Sequence, residues 1–131
     1  MIGLASMGRK AEAALLRPLT EQLLLTGAWQ IRTGALCQTV AGVAAACAGD
    51  FDVAEEHHLT AIHHADTAPY KHLQPMAREW YAAMLLDRGS AQNSAGDAVK
   101  GRAQLQEAVN MYEAMGMTYP AKLASKKILA I

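Results

Sequence analysis

The most obvious candidates for chemistry in this sequence of 131 residues are five histidines, His57, His58, His63, His64 and His72. Two histidines that bind one metal ion from a single helix stand three or four positions apart, and no pair here has that spacing. His57 and His64 share a helix face but lie about 10 Å apart along it. A metal site would need His72 from the next helix, with Glu56 or Asp66 nearby. We therefore expect no metal and no cofactor, and we assign the histidines to the helix surface and the packed core, where they could make stability sensitive to pH.

The other nucleophilic side chains do not form a catalytic arrangement. Ser90, Ser94 and Ser125 fall in loops or on helix surfaces, without the glycine elbow that presents a nucleophilic serine. Cys37 and Cys47 stand ten positions apart on one predicted helix, or about 15 Å, which is too far for a disulfide between them. Two unpaired thiols are typical of a reducing compartment. We expect a cytoplasmic protein that is not an enzyme.

The charges of the chain are balanced. Twelve basic and twelve acidic residues cancel, and the lack of a basic surplus argues against nucleic acid as a partner. Glu55, Glu56 and Asp87 have no matched basic partner in the sequence, so we assign them to helix dipoles and solvated surface. The apolar runs are far shorter than the ~20 residues of a membrane-spanning helix, so we expect no membrane partner either.

The composition favours an all-α fold. Hydrophobic residues make up 52% of the chain and aromatic residues only 5%, with alanine and leucine dominant. The predicted helices cover about 4–16, 20–26, 35–48, 52–65, 74–88, 98–115 and 119–129. The first should end near Leu16, because Pro18 lacks an N–H donor and disfavours helix before it. Thr20 should cap the second helix.

Two glycines mark the predicted turns between the longer helices. Gly49 can adopt the left-handed conformation that closes a helix, and Asp50 or Asp52 can cap the helix that follows. Gly89 should end another helix in the same way, and Asp97 should cap the next one after a flexible polar segment.

Small residues recur at fixed offsets from these turns, which is typical of a repeat protein. Around the first turn Ala54 and Ala61 should contact the helix of Gly42 closely. The corresponding positions around the second turn are Ala82, Gly101 and Ala108. The chain, 1–131, is therefore predicted to be one helical domain, with hairpins over about 35–66 and 74–115 and flanking helices over 4–26 and 119–131.

Four segments, 34–42, 48–51, 80–89 and 108–117, carry a resemblance to known proteins. They resemble the tetratricopeptide-repeat family, and in particular the C-terminal repeat region of bacterial class III adenylate/guanylate cyclases with AAA-type ATPase modules and of LuxR/MalT-like regulators. The resemblance implies antiparallel helix hairpins stacked as a short right-handed solenoid, in a non-catalytic regulatory module of a larger bacterial signalling protein. His58 departs from the repeat, which usually has a packing aromatic residue there.

In such a stack the first helix of each hairpin lines the concave face, where repeat proteins bind peptides or helices. The candidate partner-binding residues on that face are Leu36, Thr39, Val43, Cys47, Met76, Glu79, Ala83, Leu86 and Asp87. The partner would be a protein or peptide, or a second copy of the chain. Three alternatives stay open: terminal helices that fill the groove, a homodimerisation domain without a separate ligand, and a small-molecule or metal-binding domain that uses the histidines.

Overall fold

A computed structural model describes residues 1–29 and 36–131 of the chain. This part contains helices and no β-strand, which confirms the all-α class. The helices are α1 (Ile2–Ser6), α2 (Lys10–Leu15), α3 (Arg17–Leu25), α4 (Cys37–Cys47), α5 (Phe51–Thr67), α6 (Leu73–Gln92), α7 (Ala95–Ala114) and α8 (Thr118–Leu129). The end of the predicted loop before residue 35, and residues 34 and 35 of the first resembling segment, lie outside the described residues.

The beginning of the chain folds as three short helices, where the sequence predicted two. Gly8, at φ +74°, separates α1 from α2. Pro18 lies in the first turn of α3, where a missing N–H donor leaves no helical hydrogen bond unmade. The prediction that Thr20 caps this helix was wrong: Thr20 is buried inside α3, and its hydroxyl donates to the carbonyl of Arg17 at 2.7 Å.

The turn between α4 and α5 follows the prediction. Gly49 has φ +83°, the left-handed conformation that ends α4. Asp50, and not Asp52, caps α5, because its carboxylate accepts the N–H of Val53 at 3.4 Å. Arg17 of α3 donates to the same carboxylate at 2.9 Å and holds the pKa of Asp50 below its usual value. This contact ties the short helices at the start of the chain to the first long hairpin.

The second turn differs from the prediction. Gly89 lies inside α6, which continues to Gln92, and the chain reverses at Asn93 with φ 52°. Ser94 caps α7, its hydroxyl accepting the N–H of Asp97 at 3.3 Å. The flexible segment predicted here is therefore mostly helix. A Cβ at Gly89 would lie 3.1 Å from the carbonyl oxygen of Ser94. The glycine thus serves close packing of the turn and not the end of the helix.

Consecutive helices pack against each other from α3 to α8, and α4 also contacts α6. The small residues of the predicted repeat are buried, including Ala54, Ala61 and Gly101. The residue that approaches Gly42, however, is His58: a Cβ at Gly42 would lie 2.8 Å from the His58 Nε2 atom. Ala54 and Ala61 lie on the buried side of α5, and Ala54 packs in one cluster with Ala45 of α4, the helix of Gly42.

Candidate functional site

One face of α6 forms the floor of a groove. Its residues at spacings of three and four, from Met76 to Asp87, point to the same side of the helix. Trp80 is half-buried at the middle of this face and Ala83 is exposed beside it. At ~1.5 Å per residue, this face extends for about 16 Å along α6.

A first cavity of about 360 Å³ lies at the Asp87 end of the groove. Its apolar wall includes Val43 and Cys47 of α4, which packs beside α6. Ser6 of α1 and Lys10 of α2 close the cavity on the opposite side. The start of the chain therefore folds against the groove without filling it.

A second cavity of about 380 Å³ lies at the Met76 end. Tyr112 of α7 and Pro120 of α8 contribute to its wall. Trp80, Ala83 and Lys127 line both cavities, so the two are neighbouring chambers of one groove on α6. A volume of this size is at the lower end of the ~300–1,000 Å³ typical of ligand sites.

Two ion pairs cross the edges of the groove. Lys10 of α2 donates to Asp87 at 2.7 Å, and Lys127 of α8 donates to Glu79 at 2.5 Å. Glu79 also accepts the hydroxyl of Tyr112 at 2.6 Å, and burial together with this bond raises the pKa of Tyr112. Asp87, predicted from the sequence to have no matched basic partner, therefore has one from the start of the chain.

Six of the nine predicted partner-binding residues line the groove: Val43, Cys47, Met76, Glu79, Ala83 and Asp87. The other three do not. Leu36 and Thr39 are buried, and Leu86 packs against Gly101 of α7. Leu36 and Thr39 belong to the interior and the half-buried Leu86 to the contact between α6 and α7, so these three side chains do not line the groove.

The groove residues that sequence reasoning missed include Trp80, Lys10 and Lys127. The spacing of Trp80 from Met76 and Ala83 could have placed it on this face. Nothing local could have found the two lysines, because they approach α6 from distant parts of the chain. The alternative that the terminal helices fill the groove describes the structure only in part. Helices α1, α2 and α8 form sides of the groove, but they leave both cavities open.

Behind the groove, Arg88 connects three helices. It donates to Asp97 of α7 at 2.8 and 2.9 Å and to Glu55 of α5 at 2.7 Å, and Tyr81 donates to Glu55 at 2.7 Å. Hydrogen bonding from Arg88 holds the pKa of both carboxyl groups below their usual values. The assignment of Glu55 to unpaired surface and of Asp97 to a helix cap was wrong. Both carboxylates are satisfied by a largely buried arginine.

The histidines do not converge. His57 Nδ1 lies 2.7 Å from the Gln38 side-chain oxygen, whereas His63 and His72 are exposed. His58 is fully buried, and neither of its ring nitrogens has a hydrogen-bond partner in the part of the chain that the structure describes. Burial lowers the pKa of His58 to about 3. Among residues 1–29 and 36–131, no group of three or more His, Cys, Asp or Glu side chains could hold a metal ion.

Comparison of the chain with models of known protein families, with curated proteins and with solved structures finds no significant match. Within the described residues, no helix has the length and apolar character needed to cross a membrane.

Proposed function

We propose that this chain is a non-catalytic protein-binding module whose groove along α6 holds a short peptide segment of another protein. The observation that carries the proposal is the pair of adjoining cavities on the two sides of Trp80. Each has space for an apolar side chain, and the exposed Ala83 between them leaves room for a backbone to pass. A five-residue extended peptide, at ~3.3 Å per residue, would match the ~16 Å of α6 that forms the floor.

The broader assignment rests on the pattern of helices. Successive hairpins, the contact between α4 and α6, and the buried small residues at repeat offsets support a tetratricopeptide-like stack. We further propose that the module is cytoplasmic and serves a regulatory role in a bacterial signalling protein, as the resemblance implies. Binding is the activity that the apolar walls of the groove support.

A displayed library of random peptides tests the proposal directly. Peptides selected on the chain should share two apolar positions, and their affinity should fall by about ten-fold or more in an Ala83→Arg variant, because the arginine would occupy the groove. Ala103→Arg is the matched control, since Ala103 is exposed on α7 away from both cavities. The proposal is wrong if every selected peptide binds the Ala83→Arg variant as well as the original chain.

A second candidate, homodimerisation, is favoured by exposed leucines at the start of the chain. Leu15, Leu19 and Leu25 are all exposed on α2 and α3. A second copy could cover them, and the zero formal net charge gives little repulsion between copies. Light scattering over a range of concentrations tests this candidate. A constant monomer mass would rule it out, and a dimer should be lost in Leu19→Glu.

A further inference from the structure

The part of the groove nearest Asp87 is bordered by a segment of the same chain, α1–α2. Lys10 binds Asp87, and Ala5 and Ser6 form the adjoining wall of the first cavity. We propose that α1–α2 acts as a built-in ligand that covers this end of the groove, and that the partner segment it stands in for carries a basic side chain that binds Asp87 in place of Lys10. This inference rests on the proposed function and adds the chemistry of the partner.

The α1–α2 segment is held weakly. No residue of α1 is buried, and Ala13 is the single buried residue of α2. Helices of five and six residues are not stable without such packing. The Lys10 and Asp87 side chains are about half exposed, at 52% and 45%. Exposed ion pairs of this kind contribute little to stability, so another cation can replace Lys10 at low cost.

The charges on α6 indicate which kind of partner side chain could replace Lys10. The two charged residues that α6 presents to the groove, Glu79 and Asp87, are both acidic, and each is neutralised by a lysine from a terminal helix. Glu79 is also fixed by Tyr112 and its side chain is only 16% exposed. Asp87 has no such second partner among its hydrogen bonds in the described residues and is the more accessible acid. A segment that displaces α1–α2 therefore leaves a bare carboxylate unless it brings a lysine or arginine.

Cys47 provides a readout that does not depend on any partner. It lines the first cavity beneath α1–α2, whereas Cys37 is fully buried. We expect the Lys10→Glu variant, which places two acids against each other, to react at Cys47 with iodoacetamide about three- to ten-fold faster. The double variant Lys10→Glu/Asp87→Lys should return to the original rate. Lys71→Glu, which changes an exposed lysine away from the groove, should have no effect.

If α1–α2 did not move, electrostatics would predict a slower reaction of Cys47 in the Lys10→Glu variant. Burial raises the pKa of Cys47, and the positive charge of Lys10 partly offsets this effect. Loss of Lys10 would therefore leave less thiolate and slow the reaction if the segment stayed in place. A faster reaction of Cys47 therefore indicates that α1–α2 has moved away from the first cavity. An unchanged or slower reaction in Lys10→Glu, or a fast reaction that persists in the double variant, would overturn the inference.

The requirement for a basic residue is tested with peptides. A synthetic peptide of residues 2–15, added in excess to the Lys10→Glu protein, should slow Cys47 modification back toward the original rate. The same peptide with Lys10→Glu should not, and equal protection by both peptides would refute the proposed role of Asp87. The outcome is separable from that of the display experiment: Cys47 can respond when no displayed peptide binds, and displayed peptides can bind when Cys47 does not respond.

Discussion

Replacement of Gly42 by alanine should destabilise this protein, although the same change within a helix ordinarily stabilises by about 1 kcal/mol. The reason is the ring of His58, which is fully buried over α4. A Cβ at position 42 would lie 2.8, 2.9 and 3.0 Å from three atoms of that ring, closer than carbon atoms normally approach. Overpacking of a core typically costs about 1–3 kcal/mol. Because the higher helix propensity of alanine offsets about 1 kcal/mol of this cost, we expect the free energy of unfolding to fall by about 1 kcal/mol.

A double-mutant cycle isolates this contact. In a His58→Ala background the space above Gly42 is free, so Gly42→Ala should become stabilising by up to about 1 kcal/mol, and the coupling between the two positions should be about 1–3 kcal/mol. Urea unfolding followed by circular dichroism at pH 7 measures all four proteins, provided that the slope m is unchanged.

Gly96→Ala is the matched control for the same cycle. Gly96 lies in α7, and the nearest atom to its Cβ position is the Ser94 Oγ at 3.9 Å, so alanine fits without a clash. We expect no loss of stability there. If Gly42→Ala behaves like Gly96→Ala, or has the same effect with and without the His58 ring, the close contact does not govern stability and the reasoning fails.

Three further predictions concern stability. Gly49→Ala should cost about 1 kcal/mol in urea unfolding, because φ is +83° there and alanine strains that conformation. Arg88→Ala should cost about 3 kcal/mol, since it leaves Glu55 and Asp97 without their main partner. Arg88 lowers the pKa of both carboxyl groups, so their contribution to the free energy of unfolding is present at neutral pH and is lost as the pH falls below their ordinary pKa values of 4.5 and 3.8. In Arg88→Ala the free energy of unfolding should therefore change less with pH in this acid range. Burial lowers the pKa of His58 from 6.5 to about 3, so between these pH values the unfolded state binds more protons than the folded state. The free energy of unfolding should therefore fall with falling pH by up to about 1.4 kcal/mol per pH unit, and His58→Leu should remove this slope.

The sequence predicted the features of this fold that are local. The turn at Gly49 and Asp50 needs only a few consecutive residues, and their types specify it. Gly89 shows the limit of such reasoning, because a glycine is used both to end a helix and to let backbones approach closely. Only the position of Ser94 in space, 3.1 Å from the Cβ site of Gly89, distinguishes the two uses.

The groove was predicted only in part, because some of its residues follow a local pattern and others come from distant parts of the chain. The repeat offset placed Met76, Ala83 and Asp87 on one side of α6, and their spacing along the helix agrees with it. The partner of Asp87 is Lys10, 77 positions away, and no short-range pattern indicates that pairing. Leu36 illustrates the opposite error, because a repeat offset cannot tell a residue that faces the groove from one that the neighbouring helices bury.

The position of Arg88 has a consequence for how the molecule unfolds. Repeat proteins often lose their units one at a time, since each unit contacts only its neighbours. Here one guanidinium joins α5 of the first hairpin to α6 and α7 of the second. The two hairpins should therefore open as one cooperative unit, with similar hydrogen-exchange protection in α5, α6 and α7, while α1 and α2 exchange through separate local openings of much lower free energy.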